Sequence, residues 1–125
     1  MSLMQLSMIF VMVTMAEESA NRIVEVLHDE PTIANPNEPI YEVADGSIDF
    51  DNVSFKYSEH AERQALDGID LHIASGETIG IIGGTGSAKS TLVNLIARLY
   101  DVTEGTVRVG GRDVRDYDLD SLRHQ

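Results

Sequence analysis

The stretch Ile79-Gly80-Ile81-Ile82-Gly83-Gly84-Thr85-Gly86-Ser87-Ala88-Lys89-Ser90-Thr91 decides how this 125-residue chain is read. The run Thr78 to Ile82 has the near-continuous apolar character of a strand buried on both faces, and Gly83 ends it. From Lys89 to Tyr100, the residues Leu92, Leu95, Ile96 and Leu99 fall on one stripe, which predicts an amphipathic helix. Small residues join the two. A loop of this kind lets successive backbone N–H groups turn inward and converge on phosphate oxygens, and a helix starting near Lys89 adds the positive end of its dipole. Lys89 then sets an ammonium against the β and γ phosphates, and the Ser90 hydroxyl is placed to coordinate magnesium. The expected binding residues of this nucleoside triphosphate cradle are Gly84, Thr85, Gly86, Ser87, Ala88, Lys89, Ser90 and Thr91, with Ser90 as the metal ligand.

One position departs from the usual phosphate-loop pattern: Ala88 stands where a glycine normally precedes the lysine. If φ at Ala88 is negative, the methyl group is harmless; if φ is positive, it costs about 1 to 2 kcal/mol. Because Lys89, Ser90 and Thr91 are all kept beside it, tolerance is the expectation. The bland alternative is a strand-to-helix turn with an incidental lysine. A dinucleotide-binding fingerprint fits less well, since Gly84-x-Gly86 is followed by Lys89 where a third glycine or alanine belongs.

Working outward, Ile48, Phe50, Val53 and Phe55 alternate with polar residues around a bulge or turn expected at Asp51 and Asn52, in a strand ending at Tyr57. Ile69 to Ile73 alternate again before the Ser75-Gly76 turn. Thr106 to Val109, Gly110-Gly111 and Arg112 to Val114 read as a hairpin, and Asp118 or Asp120 as the cap of a last helix through Leu122.

Upstream, Met1 to Ala16 carry no charge, are too short to span a bilayer alone, and lack the basic start of a secretory signal. They fit either the end of a transmembrane helix or a buried helix of a soluble protein. Ala16, Ala20, Ile23, Val24 and Leu27 continue at helical spacing, Glu18 and Arg22 form an i,i+4 pair, and Pro31 stops the helix. Pro31 to Gly46, with three prolines and no apolar period, is a linker.

The chain has 9 Lys+Arg and 21 Asp+Glu, a formal charge of −12, so a sequence-independent grip on nucleic acid is excluded as a first reading. The charge is uneven. Residues 1–75 hold 14 acids and 3 bases, whereas residues 76–125 hold 7 acids and 6 bases, which makes the second part the better host for an anion. The absence of cysteine excludes disulfides, zinc thiolates and thiol catalysis. Four scattered histidines, at 28, 60, 72 and 124, form no metal spacing, and the pairs Glu17-Glu18 and Asp29-Glu30 read as a solvated helix face.

At this point the sequence resembles the nucleotide-binding domain of ATP-binding cassette (ABC) exporters. The resemblance runs through Ile48-Asp49-Phe50-Asp51-Asn52-Val53-Ser54-Phe55-Lys56-Tyr57, Ala65-Leu66-Asp67-Gly68-Ile69-Asp70-Leu71, Gly76-Glu77 and the phosphate loop. It goes on through Leu99-Tyr100-Asp101, Glu104-Gly105, Gly110-Gly111-Arg112-Asp113-Val114 and Leu119-Asp120-Ser121-Leu122-Arg123. The stretch from Ala20-Asn21-Arg22-Ile23 to Pro31 is similar to the cytoplasmic end of the last transmembrane helix and the linker of such exporters. The implied fold is α/β: a P-loop cassette fragment with an N-terminal β-subdomain, preceded by a helix. The implied organisation is a helix end over residues 1–30, a linker over 31–47 and the first part of the cassette over 48–125. Tyr57, 26 residues before Gly83, takes the place of the aromatic residue that stacks on adenine.

The resemblance further implies ATP and Mg2+ as ligands, a second nucleotide-binding domain and a transmembrane domain as partners, and a place at the cytoplasmic face of a cell membrane. The whole protein would couple ATP binding and hydrolysis to solute export. The γ-phosphate-sensing glutamine, signature loop, aspartate–glutamate pair and switch histidine of the family have no counterpart here, so the chain alone is expected to bind nucleotide weakly and hydrolyse nothing. Gln125 precedes the position of the sensing glutamine and takes no such role. Two other readings stand beside this one: the degenerate, non-catalytic subunit of a heterodimeric exporter, for which Ala88 is the clue, and another P-loop enzyme such as a small-molecule kinase.

Overall fold

A computed structural model describes residues 2–124, which divide into two compact units, Met1–Thr32 and Ile33–Gln125. The first is a single helix, α1 (Ser2–Leu27), whose described side chains are all exposed. Leu3–Leu27 is long and apolar enough to cross a membrane by length and composition. The helix stops at Leu27, four residues before Pro31, with the His28 N–H donating to the Val24 carbonyl at 2.9 Å. Glu18 and Arg22 do not close an ion pair, in keeping with the small stabilisation such exposed pairs give.

The second unit is built on an antiparallel sheet in the order β2-β1-β3-β4, from β1 (Ile48–Phe55), β2 (Leu66–Ile73), β3 (Glu104–Val109) and β4 (Arg112–Asp113). The expected bulge is present: Asn52 has φ 46°, and the register shifts there against both neighbours. It breaks the side-chain alternation, so Val53, Ser54 and Phe55 are buried in succession. Gly105 of β3, at φ +81°, lies against the Asn52 carbonyl. The β3–β4 turn takes Gly110 and Gly111 with positive φ at both, as a tight two-residue hairpin requires.

Phe50, Val53, Phe55, Val107 and Val109 from the sheet meet Leu95 of α2 (Lys89–Ile96), Val114, Tyr117 and Leu122 in one core. Tyr117 is wholly buried; its hydroxyl donates to the Val109 carbonyl at 2.8 Å, and burial pushes the phenol above its ordinary pKa. Of the two candidate caps, Asp118 is the one that starts α3 (Leu119–Arg123), accepting from the Ser121 N–H at 3.0 Å. That hydrogen bond holds its carboxyl below the usual range.

Three expectations are corrected. The helix predicted over Lys89 to Tyr100 ends at Ile96, because Arg98 turns left-handed at φ 48°. The Leu99 N–H reaches the Asn94 carbonyl at 3.0 Å and the Arg98 N–H reaches that of Leu95 at 3.1 Å, a Schellman closure. The Arg98 guanidinium is buried against Asp101 at 2.9 Å, and Arg123 donates to the Ala97 and Arg98 carbonyls at 3.1 and 3.0 Å. These contacts override the periodicity of Leu99.

The apolar run Thr78 to Ile82 is not a strand. It forms no part of the sheet, and Ile82 is 98% exposed. A strand buried on both faces needs hydrogen-bonding neighbours, and among the described residues the sheet gives it none.

Finally, the part of the segment read as a linker that follows Thr32 packs within the second unit. The Ile40 N–H donates to the Asp116 carbonyl and the Asp118 N–H to that of Ile40, both at 2.9 Å, while Ile40 and Val43 pack on the core. Asn35 adds two bonds at the start of α3, giving to Asp118 Oδ1 at 2.6 Å and accepting the Leu119 N–H at 2.9 Å. An irregular segment without apolar period can still satisfy its backbone against a neighbour.

Candidate functional site

Gly83 to Ala88 form the loop that feeds α2. The Ser87 N–H and hydroxyl both give to the Gly84 carbonyl, at 3.3 and 2.9 Å, and Gly86 supplies φ +83° at the bend. A Cβ at Gly83 would stand 2.5 Å from Ser87 Oγ, so the loop closes on a residue without a side chain. Lys89, the first residue of α2, curls back into the loop. Its Nζ donates to the Gly83 and Gly84 carbonyls at 2.8 Å each and to Ser87 Oγ at 3.1 Å. The ammonium is thus held in the concavity of the small-residue loop.

Ala88 sits at the N-cap of α2 with no side chain to bond the first N–H groups; the first intrahelical bond, Leu92 N–H to Ala88 carbonyl, is 3.0 Å. The earlier donors of the helix are left for an external acceptor, which is the condition an anion needs. Ala88 itself has φ 58° and ψ 23°, so of the two alternatives the positive one holds: the methyl group stands in the left-handed region and costs about 1 to 2 kcal/mol. Ala88→Gly removes that strain and adds unfolded-state entropy of about 0.5 to 1 kcal/mol. The expected result is a gain in stability of up to about 1 kcal/mol by thermal melting. Since strain common to the free and bound loop cancels, ATP affinity should change less than tenfold, and a larger gain by calorimetry would mean that the alanine cripples binding.

Tyr57, two residues beyond β1, meets Phe55 and Tyr100 edge-on, with ring centroids 4.9 and 5.3 Å away. Its hydroxyl lies 2.7 Å from Thr91 Oγ1. Tyr57, Arg63, Gly86, Ser87, Lys89 and Thr91 line one cleft of about 560 Å³, together with Ala88 and Ser90. The fold therefore brings the aromatic residue and most of the loop to one opening. Gly84 and Thr85 are outside that lining, although the Gly84 carbonyl anchors Lys89. Arg63 is a cleft residue that the sequence reading passed over; the available signal was its place as the one basic residue between Lys56 and Lys89.

The other polar cluster lies elsewhere on the sheet, where His72 pairs with Asp49 in a groove shared with Asp51, Asp70 and Arg108. The Asp49 carboxylate raises the His72 pKa. Among the described residues no group of His, Asp and Glu could hold a metal ion.

Known proteins share the sequence and fold of this chain. Residues 66–125 match the family described as ABC transporter. Over 115 residues the chain is 44% identical to a multidrug efflux ATP-binding/permease protein of Mycobacterium tuberculosis, covering 90% of this chain and 10% of that protein. Over 84 residues it is 44% identical to an ATP-dependent lipid A-core flippase of Yersinia pestis, covering 67% of this chain and 14% of that protein. Among solved structures it superposes on a bacterial Atm1-family ABC exporter with ATP bound, at a TM-score of 0.77 and 30% identity, over 95% of this chain and 21% of the other. The chain spans between 10% and 20% of the length of the first curated relatives it matches. The match of sequence and fold leads to one conclusion: the chain belongs to the ABC transporter family.

Proposed function

We propose that Gly84 to Thr91 hold the phosphates of ATP, that Tyr57 stacks on its adenine, and that the protein containing this chain couples ATP binding and hydrolysis to export of a solute across a membrane. The observation that carries this reading is the Lys89 ammonium seated in the loop, 2.8 Å from the Gly83 and Gly84 carbonyls, at one cleft with Tyr57. A triphosphate competes well for that ammonium because charge-assisted hydrogen bonds to anionic oxygens are stronger than those to neutral carbonyls. The uncapped N-terminus of α2 supplies further N–H donors.

The residues also fit magnesium. With Lys89 turned to the loop and Thr91 bonded to Tyr57, Ser90 is exposed beside them and offers an oxygen ligand at the cleft. Ser90 would hold magnesium there, and the ion would supply positive charge against the phosphates. The partners that complete this reading are a second nucleotide-binding domain and a transmembrane domain, with the cassette at the cytoplasmic face of the membrane. Saturable binding of MgATP to the chain by calorimetry, weakened when magnesium is withheld, is the expected result; no binding by the folded chain would overturn the reading.

One observation favours a second reading, that of a non-catalytic nucleotide-binding subunit: the strained alanine at position 88, in the middle of the cradle.

A further inference from the structure

Base stacking needs only the ring of Tyr57, and a phenylalanine would present the same face. The hydroxyl of a residue as exposed as Tyr57 has water available to it, yet this one is 2.7 Å from the hydroxyl of Thr91, a side chain buried to 4% exposure. Thr91 is the third residue of α2, two after Lys89. The bond therefore spans 34 residues of sequence and ties the ring to the helix whose first turn faces the loop. Edge contacts to Phe55 and Tyr100 fix the plane of the same ring.

We propose that the Tyr57 hydroxyl is a positioning group: through Thr91 it sets the stacking ring at a fixed distance from the phosphate cradle before nucleotide arrives, and so selects ligands that carry a base. This rests on the reading of Tyr57 as the adenine-stacking residue. Its physical content is pre-organisation. A ring already ordered in the free protein does not have to be immobilised on binding, so more of the stacking energy appears as affinity. A ligand with phosphates alone gains nothing from the ring and should not sense the tie.

The test uses the full 125-residue chain, titrated calorimetrically with MgATP and with magnesium tripolyphosphate. Tyr57→Phe keeps the ring and removes the hydroxyl; it should weaken ATP about three- to tenfold, the range of one ordinary hydrogen bond, with the loss confined to the base-carrying ligand. Tyr57→Ala should weaken ATP further, again without a matching loss for tripolyphosphate. In ATP affinity the double variant Tyr57→Phe/Thr91→Val should lose no more than Thr91→Val alone. Thr91 is buried; should its variant fail to fold, Tyr57→Phe at an exposed position still decides.

If Tyr57→Phe binds ATP as tightly as the parent while Tyr57→Ala does not, the ring stacks but the tie is idle, and the proposal is wrong. Equal losses for both ligands in Tyr57→Phe would overturn it as well, since the hydroxyl would then support the loop. If Tyr57→Ala binds ATP like the parent, or the parent binds no ATP, the stacking reading fails and takes the proposal with it.

Discussion

Lys89→Ala lowers the affinity of the chain for ATP by at least about 100-fold, a loss of about 2.7 kcal/mol. In the structure the ammonium makes three hydrogen bonds, two to loop carbonyls and one to a hydroxyl. Turned to a triphosphate it exchanges neutral acceptors for anionic ones, and each hydrogen bond to a charged group contributes about 1.5 to 3 kcal/mol. Two such bonds to the β and γ phosphates account for the size of the effect. The Arg63 guanidinium borders the same cleft, so Lys89 is not the only cation near the phosphates and some residual binding is expected. The fold should be unaffected, because the three bonds lie in an exposed loop. Calorimetry on parent and variant checks this; equal affinities would remove the phosphate-loop assignment.

Gly105→Ala is expected to be the most damaging single substitution in the sheet. A Cβ there would stand 2.3 Å from the Asn52 carbonyl oxygen and 2.5 Å from that of Asp51, both in the backbone of the bulged strand, and φ is +81°. Left-handed strain contributes about 1 to 2 kcal/mol and the overlap about 1 to 3 kcal/mol more. Since 1 kcal/mol moves the melting temperature of a unit this size by about 4 to 8 °C, a fall of more than about 10 °C should be read in a thermal melt. Gly76→Ala is the control. It has φ +78° but no atom within 4 Å of the added carbon, so only the backbone strain remains. Equal falls for the two variants would mean that the contact with the bulge is not what demands glycine at 105.

The sequence foretold features governed by local rules and missed those set by distant partners. The bulge at Asn52, the Gly110-Gly111 hairpin and the Asp118 cap each follow from a few adjacent residues, and all three are present. The end of α2 was illegible because it depends on the burial of Arg98 against Asp101 and on Arg123, 25 residues away. The same holds for Ile40, whose backbone pairs beside Tyr117 across 77 residues of chain. Thr78 to Ile82 failed in the opposite sense: the apolar run signals a covered strand, but periodicity cannot supply the neighbours that would cover it. At the site, Lys89 and the glycines were legible from spacing, whereas φ at Ala88, the Tyr57–Thr91 bond and the place of Arg63 are tertiary facts.

The most direct measurement of the central claim is a residue-by-residue map of amide and side-chain NMR shifts on titrating the 125-residue chain with MgATP. The account predicts that the largest changes fall on Gly84 to Thr91 and on the Tyr57 ring, saturate together, and need at least about 100-fold more nucleotide in Lys89→Ala. Saturable binding that leaves those resonances in place, with changes instead in the groove around Asp49, Asp70 and His72, would contradict it.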